Sequence, residues 1–171
     1  MFSAYKNQLG RHAFVVALSV GVIAIGGNAT LARNTDSWPV EGRLIGEIRD
    51  ADYKKSKDVS GIACATATGL PRTCLLADDE SQGAQIVIVD DGRVIAGDFI
   101  RLIYNSYDNT PLELDAEGVA YADGSFYVIG SHGRPRHEKN ESEKDRQRND
   151  AQAEASRHLF RIRFDPHAVE P

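Results

Sequence analysis

The sequence has no surplus of basic residues. It contains 20 Lys and Arg against 25 Asp and Glu, which gives a formal net charge of −5. Nucleic acids and anionic membrane surfaces are bound mainly through clustered Lys and Arg that neutralise phosphates. The charge balance therefore argues against both as partners. The composition is otherwise that of a globular protein, with 42% hydrophobic and 26% charged residues, so we expect a folded domain with a core.

Long apolar runs are missing everywhere except near the N-terminus. Residues 13–26 form an uncharged, mostly apolar stretch, which is shorter than the roughly 20 residues that span a bilayer. Lys6 and Arg11 precede this stretch and small residues follow it, which is the order found in a cleavable signal peptide. We therefore predict a signal peptide over residues 1–32, cleaved after Ala29 or Ala32. The mature chain, residues 33–171, is expected in the periplasm or secreted, with no membrane span and a formal charge of −7.

The sequence has only two cysteines, Cys64 and Cys74, and no further Cys or His pair with the spacing of metal ligands. An even number of cysteines in an exported protein favours a disulfide. Gly69 and Pro71 lie between the two cysteines and indicate a turn. Two strands joined by that turn would place the thiols side by side, so we predict a Cys64–Cys74 disulfide rather than two free thiols.

Most of the mature sequence has the pattern of short strands separated by turns. The dipeptides Asp91-Gly92 and Asp123-Gly124 are typical of two-residue hairpin turns. Near the end, Phe160, Ile162 and Phe164 alternate with arginines, as in a half-buried strand. The predicted strand segments are residues 43–48, 61–67, 73–77, 85–89, 94–104, 119–122, 126–130 and 160–164.

One segment departs from this pattern. Residues 134–157 contain seven Lys and Arg, six Asp and Glu, and almost nothing apolar. Such a composition is not expected to bury a core, so we predict a long, charged, solvated loop or a frayed helix. A loop that recognises a charged partner is the alternative.

An internal repeat is the most informative feature of the sequence. DVSGIA at residues 58–63 recurs as DAEGVA at residues 115–120, and a hairpin follows each copy. We predict that Gly61 and Gly118 either let the backbone pass close to a neighbour or adopt a positive φ. Four-stranded units repeated at about 50 residues are typical of β-propeller blades. We therefore predict an all-β fold of propeller type with about two blades, the first over residues 43–110 and the second over residues 115–165.

Four motifs, taken together and in order, resemble a known bacterial family. They are DVSGIAC at 58–64, CLLADDE at 74–80, DAEGVAY at 115–121 and FYVIGSHG at 126–133. At these motifs the chain resembles the family named domain of unknown function 3616. That family in turn resembles phytase-like and esterase-like β-propellers. The resemblance implies an exported propeller-like fold without an established activity. It also implies further blades beyond residue 171, so the expectation is a partial propeller.

The resemblance to phytase-like propellers suggests where a metal would bind. Those proteins hold calcium with loop carboxylates, and calcium prefers oxygen ligands. The expected ligands in this chain are Asp78, Asp79, Glu80, Asp115 and Glu117. Solvated or turn-forming carboxylates are the simpler interpretation, because the sequence contains no calcium-loop motif.

A second group of candidate residues follows a predicted strand. Ser131, His132 and Arg134 are the expected ligand-binding residues. A Ser–His nucleophile is disfavoured, because adjacent residues of a strand point to opposite faces and the surrounding sequence is not a nucleophile elbow.

Three functions are compatible with these patterns. The first is an exported domain that binds a ligand or partner, and the second is a metal-dependent hydrolase of phosphate or other esters. The third is a truncated fragment without function. Open outer blade faces would make the chain marginally stable, or would lead it to associate with itself or with a polypeptide that supplies missing blades.

Overall fold

The computed structural model describes residues 36–49, 52–133 and 141–166. The predicted signal peptide and its cleavage sites lie outside these residues. The described part is mostly β, with one helix. The elements are β1 (Val40–Glu41), β2 (Ile45–Arg49), β3 (Asp52–Lys55), β4 (Val59–Cys64), β5 (Arg72–Asp78), β6 (Gly83–Asp90), β7 (Arg93–Arg101), β8 (Ser106–Tyr107), β9 (Thr110–Pro111), β10 (Ala116–Ala122), β11 (Ser125–Gly130), α1 (Glu143–Ser156) and β12 (Leu159–Arg163).

The first sheet has five strands in the order β1-β7-β6-β5-β4. Strands β4 to β7 form an antiparallel meander, and β1 joins its outer edge parallel to β7. The predicted turn between β6 and β7 is confirmed, with Gly92 at a φ of 76° that suits glycine. The predicted strands of this part of the chain are therefore correct, although β2 pairs only with β3 and not with the meander.

The second sheet has three antiparallel strands in the order β10-β11-β12. Asp123 and Gly124, both with positive φ, form the predicted hairpin turn between β10 and β11. β12 pairs with β11 after the helix intervenes. The expected fourth strand of this unit is absent from the described residues, and the described strands form four separate sheets, none of them closed.

The internal repeat has the same local structure in both copies. The register shifts between Val59 and Gly61 on β4, and between Ala116 and Gly118 on β10. Each copy thus carries a bulge directly before its glycine. A Cβ placed on Gly61 would lie 3.2 Å from the Cα of Gly118, so β4 and β10 approach closely at these glycines. The predicted close approach is confirmed at Gly61, whereas a Cβ on Gly118 would have only the Ile129 Cγ2 within 4 Å, at 3.9 Å.

The main core lies between the two sheets. Leu75, Ala77 and Ala84 of the first sheet are completely or almost completely buried, as are Phe126 and Val128 of the second. These side chains belong to one contiguous cluster. Burial of this apolar surface is what stabilises the pairing of the sheets, at about 25 cal/mol per Å².

The opposite face of the first sheet is partly covered by the chain that precedes β4. Gln85 on β6 accepts a hydrogen bond from the Ile45 backbone and donates to the carbonyl of Arg43. The rings of Tyr53 and Phe99 meet edge to face at 5.4 Å. This side of the sheet also holds the disulfide that we predicted. Cys64 and Cys74 are register partners on β4 and β5, with an S–S distance of 2.02 Å.

The charged segment corrects one prediction. Residues 143–156 form helix α1, and residues 134–140 lie outside the described part of the chain. Ser142 caps the helix by accepting a bond from the Asp145 amide, and acidic residues occupy the first turn, where the helix dipole favours them. The expectation that this segment buries nothing is wrong, because Ala153 and Ala155 are buried and Ala155 belongs to the main core. The alanine side chains are small enough to pack against neighbouring residues, although the helix has no broad apolar face. No helix of the described residues is long and apolar enough to cross a membrane.

Candidate functional site: an acidic edge

The topology brings four strand ends together at one edge of the two sheets. β4 and β10 begin there, and β5 and β11 end there. Backbone hydrogen bonds connect the flanking residues: the Asp79 amide donates to the Asp58 carbonyl at 3.2 Å, and the Asp115 amide donates to the Asp79 carbonyl at 3.1 Å. The Ser131 amide donates to the Asp115 carbonyl at 2.6 Å. We call this region the acidic edge, and its carboxylates are Asp58, Asp78, Asp79, Glu80, Glu113 and Asp115.

Asp78 is the buried member of the acidic edge, with 1% of its surface exposed. The Ser56 hydroxyl donates to its Oδ2 at 2.5 Å, and the Glu80 amide donates to its Oδ1 at 3.0 Å. Burial raises the pKa of Asp78, and these hydrogen bonds counteract the rise. Since both oxygens already accept bonds, Asp78 mainly holds the chain after β3 against the turn after β5.

Asp79 has an oxygen without a partner. Its Oδ1 is buried and makes no hydrogen bond, although the residue as a whole is only half-buried. Desolvation raises the pKa of Asp79, and repulsion from Asp58, Asp78 and Asp115 raises it further. A buried acceptor without a donor is costly. Asp79 is therefore the carboxylate of this edge that would gain most from a bound cation.

Glu80 and Glu113 extend the acidic edge. Desolvation and repulsion from Asp58 and Asp78 raise the pKa of Glu80, while Lys57 lowers it. The pKa of Glu113 rises to about 7, first through desolvation and then through repulsion from Glu80 and Asp115. The Glu113 side chain reaches the surface, where Glu80, Asp115, Glu47 and Asp79 repel its charge.

Glu113 was missed by the sequence analysis. It precedes Asp115 by two residues, just as Ser56 precedes Asp58 in the other copy of the repeat. Helix α1 holds its backbone: Gln152 accepts from the Glu113 amide at 3.2 Å and donates to the Glu113 carbonyl at 2.9 Å. Without knowledge of that helix, the repeat alone could not indicate a site at this position.

The structure brings four of the five predicted metal ligands to the acidic edge. These are Asp78, Asp79, Glu80 and Asp115, whereas Glu117 lies on the bulge of β10 and is exposed. In the part of the chain that the structure describes, no group of three or more His, Cys, Asp or Glu side chains is arranged to hold a metal ion. The carboxylates therefore do not form a ready coordination sphere, and calcium binding stays a prediction.

Ser131 and His132 lie at the same edge, directly after β11. The Ser131 hydroxyl accepts from the Gly133 amide at 3.2 Å, and the His132 Nδ1 lies 2.9 Å from the Gly130 carbonyl oxygen. Both contacts are local to the turn after the strand. Arg134 lies outside the described residues, so a ligand-binding role for the three residues stays a prediction.

The comparisons with known proteins agree with the motifs. The family model described as a protein of unknown function, DUF3616, matches residues 63–164, which is more than half of the chain. The chain belongs to the DUF3616 family. The matched DUF3616 region includes every carboxylate of the acidic edge except Asp58, together with Ser131 and His132. No curated protein and no solved structure matches the chain at a significant level.

Proposed function

We propose that this DUF3616 chain is an exported, β-propeller-like domain that binds a cationic ligand at its acidic edge. The ligand carries spaced amino or guanidinium groups, as a polyamine or a basic peptide does. The observation that carries the proposal is the gathering of six carboxylates at one edge, where burial and mutual repulsion raise the pKa of Asp78, Asp79, Glu80 and Glu113.

The propeller-like arrangement is supported by the repeat. Two consecutive antiparallel meanders face each other, and each begins with a strand that carries a bulge followed by glycine. The two first strands, β4 and β10, touch at Gly61 and Gly118. Adjacent first strands with packed sheet faces are what successive blades of a propeller require.

Export is supported by the disulfide and by the N-terminal sequence. Disulfides persist in oxidising compartments and are rare in the cytoplasm. The Cys64–Cys74 bridge therefore agrees with the signal peptide expected over residues 1–32.

A cation is favoured because acidic neighbours dominate the electrostatics of this edge among the described residues. Of those residues, Lys57 lowers the pKa of Glu80. For Asp79, the described neighbours whose charges shift the pKa are Asp58, Asp78 and Asp115, and each of them raises it. Like charges close together favour protonation or the binding of an opposite charge. A bound cation would also give the unpartnered Oδ1 of Asp79 a hydrogen-bond donor.

An extended cation fits this edge better than a single ion. Calcium needs six to eight oxygens at about 2.3–2.6 Å, and the described residues contain no such converging group. Carboxylates that are spread along several strand ends can instead each meet one charged nitrogen. Calcium remains the alternative ligand, and it requires the turn after β5 to move its carboxylates inward.

Isothermal titration with spermidine, a tetralysine peptide and calcium tests the proposal. We expect heat with spermidine or the peptide at low salt, and weaker binding as salt screens the charges. The double variant Asp79→Asn and Glu113→Gln should lower the affinity by about tenfold or more. The matched control is Asp91→Asn, because Asp91 is exposed in the turn after β6, at the far end of the strands.

The outcomes are distinguishable. Binding that is lost in the double variant and kept in the control supports the proposal. If heat is observed with calcium alone, at one equivalent per chain, the ligand of the acidic edge is a metal ion and not an organic cation. Absence of binding to all three probes, or equal binding by the double variant, would overturn the acidic edge as a cation site.

The hydrolase alternative needs a separate assay. We would measure release of nitrophenol from phosphate and acetate esters with and without calcium. Turnover that disappears in the double variant of the acidic edge would favour the hydrolase. In its absence, the binding function is the better account, because the contacts of Ser131 and His132 described above are local turn contacts.

A further inference from the structure

Strand β12 forms an edge of the second sheet. Among the described residues it pairs with β11 and with no other strand. In the first sheet, the third strand of the antiparallel meander is β6, which lies between β5 and β7. Strand β12 is likewise the third strand of its meander. The place that β7 takes beside β6 is therefore open beside β12 in the described part of the chain.

The hydrogen bonds of β12 show which of its backbone groups face the open edge. In an antiparallel pair, alternate residues of a strand direct both their amide and their carbonyl to the partner strand. The Gly130 amide donates to the His158 carbonyl at 3.0 Å, and the Phe164 amide donates to the Gly124 carbonyl at 3.0 Å. The even-numbered residues of this stretch therefore bond to the sheet, and the odd-numbered residues direct their amides and carbonyls away from it.

Three residues thus present backbone groups to the open edge of β12. They are Leu159, Arg161 and Arg163. Their side chains are exposed as well, and no turn or loop of the described residues forms a backbone hydrogen bond with them. A row of free amides and carbonyls along a sheet edge is a template on which another strand can pair.

The two faces of β12 differ in their chemistry. Phe160 and Ile162 pack against the main core and are half-buried, whereas Arg161 and Arg163 lie on the opposite, exposed face. In the first sheet, Ile100 of β7 extends the cover of the same core. A strand beside β12 would match these faces with apolar residues on its inner side and negatively charged residues on its outer side.

We propose that β12 pairs with an extended acidic segment of another polypeptide, which adds a fourth antiparallel strand to the second sheet. Main-chain hydrogen bonds supply affinity in such strand addition, and alternate side chains supply specificity. Acidic residues opposite Arg161 and Arg163 would form cross-strand ion pairs. A second copy of β12 is a poorer partner, because its arginines would repel these two. The proposal does not depend on the acidic edge, which selects ligands of the opposite charge.

A peptide as long as β7, nine residues, that alternates valine and glutamate tests the proposal by fluorescence anisotropy. We expect the full chain to bind it. Arg163→Glu should lower the affinity by about tenfold or more; Arg163 is chosen because Arg161 also donates to the Ser125 hydroxyl. The matched control is Arg148→Glu, which reverses an exposed charge on α1 and should leave the affinity unchanged.

Methylation of the peptide backbone tests the strand pairing itself. Residues that lie directly opposite each other in antiparallel strands share a face of the sheet. The glutamates that meet the arginines therefore also direct their amides toward β12, and the valine amides point away from it. Methylation of the glutamate amides should abolish binding, whereas methylation of the valine amides should preserve it.

Hydrogen exchange locates the contact on the chain. The amides of Leu159, Arg161 and Arg163 should exchange rapidly in the chain alone and about tenfold or more slowly with the glutamate peptide bound. A peptide that alternates valine and lysine should leave these amides unchanged, even where it binds at the acidic edge. The result for β12 is thus separate from the result for the proposed cation site.

Three results would overturn the proposal. The first is slow exchange of the three amides in the chain alone, because another part of the chain would then already pair with β12. The second is a glutamate peptide that does not bind at millimolar concentration. The third is equal affinity for the two methylated peptides, or equal affinity of wild type and Arg163→Glu for the glutamate peptide.

Discussion

The contact between the two copies of the repeat allows a matched pair of substitutions. In Gly61→Ala, the new Cβ would lie 3.2 Å from the Gly118 Cα and 3.2 Å from the Val119 backbone nitrogen. Carbon atoms pack best at about 3.5–4.0 Å. Because both neighbours are backbone atoms, the two strands must separate to accept the methyl group.

The magnitude follows from what overpacking costs. Extra carbon atoms in a packed core destabilise by about 1–3 kcal/mol. The same change in the other copy, Gly118→Ala, meets only the tip of Ile129 at 3.9 Å. Replacing a strand glycine by alanine without a clash stabilises by about 0.5–1 kcal/mol. We therefore expect the two variants to differ by roughly 1.5–4 kcal/mol, with Gly61→Ala the less stable of the two.

Urea unfolding followed by circular dichroism measures this difference at a concentration where the chain is monomeric. Gly61→Ala should lower the midpoint and Gly118→Ala should leave it unchanged or raise it, with equal slopes for both. Equal effects of the two substitutions would refute the assignment of Gly61 to a close contact between β4 and β10. If Gly118→Ala destabilises the chain and Gly61→Ala does not, the side of β10 toward which a Cβ on Gly118 points is covered within the monomer.

Three other predictions concern the disulfide, the acidic edge and export. Replacing Cys64 and Cys74 with serine should lower the free energy of unfolding by about 2–3 kcal/mol, because a closed loop of this length limits the unfolded chain. Urea unfolding measures this difference, and an unchanged free energy of unfolding would contradict the prediction. The raised pKa of Glu113, about 7 in the folded chain against an ordinary 4.5, means that the folded state binds more protons between those values. Stability should therefore fall as pH rises through this window. In Glu113→Gln, the melting temperature should depend less on pH over the same range. Identical pH profiles for wild type and variant would exclude a raised pKa of Glu113. Mass spectrometry of the periplasmic protein should find its N-terminus after Ala29 or Ala32, whereas an intact Met1 in that fraction would count against a signal peptide.

The sequence alone determined the local elements of this protein. Hairpin dipeptides such as Asp123-Gly124 favour positive φ whatever surrounds them, so the turns could be read directly. The disulfide followed from two cysteines on either side of a turn. The repeated glycine indicated a close backbone approach or a positive φ, and the structure shows that at Gly61 the approach is to Gly118 of β10. The carboxylates Asp78, Asp79, Glu80 and Asp115 were recognisable because they flank strand ends.

Only the tertiary structure decided how these elements meet. Glu113 lies at the acidic edge because Gln152 of α1 holds its backbone there. Carboxylates that are remote in sequence, such as Glu80, then raise its pKa. The helix itself was not predicted as a packed element, since its alanines become apolar contacts only when a core lies against them. The difference between buried Ala77 and exposed Ile129 is likewise invisible in the repeat. Burial and repulsion depend on residues that are remote in sequence, whereas turns and bulges depend on neighbours along the chain.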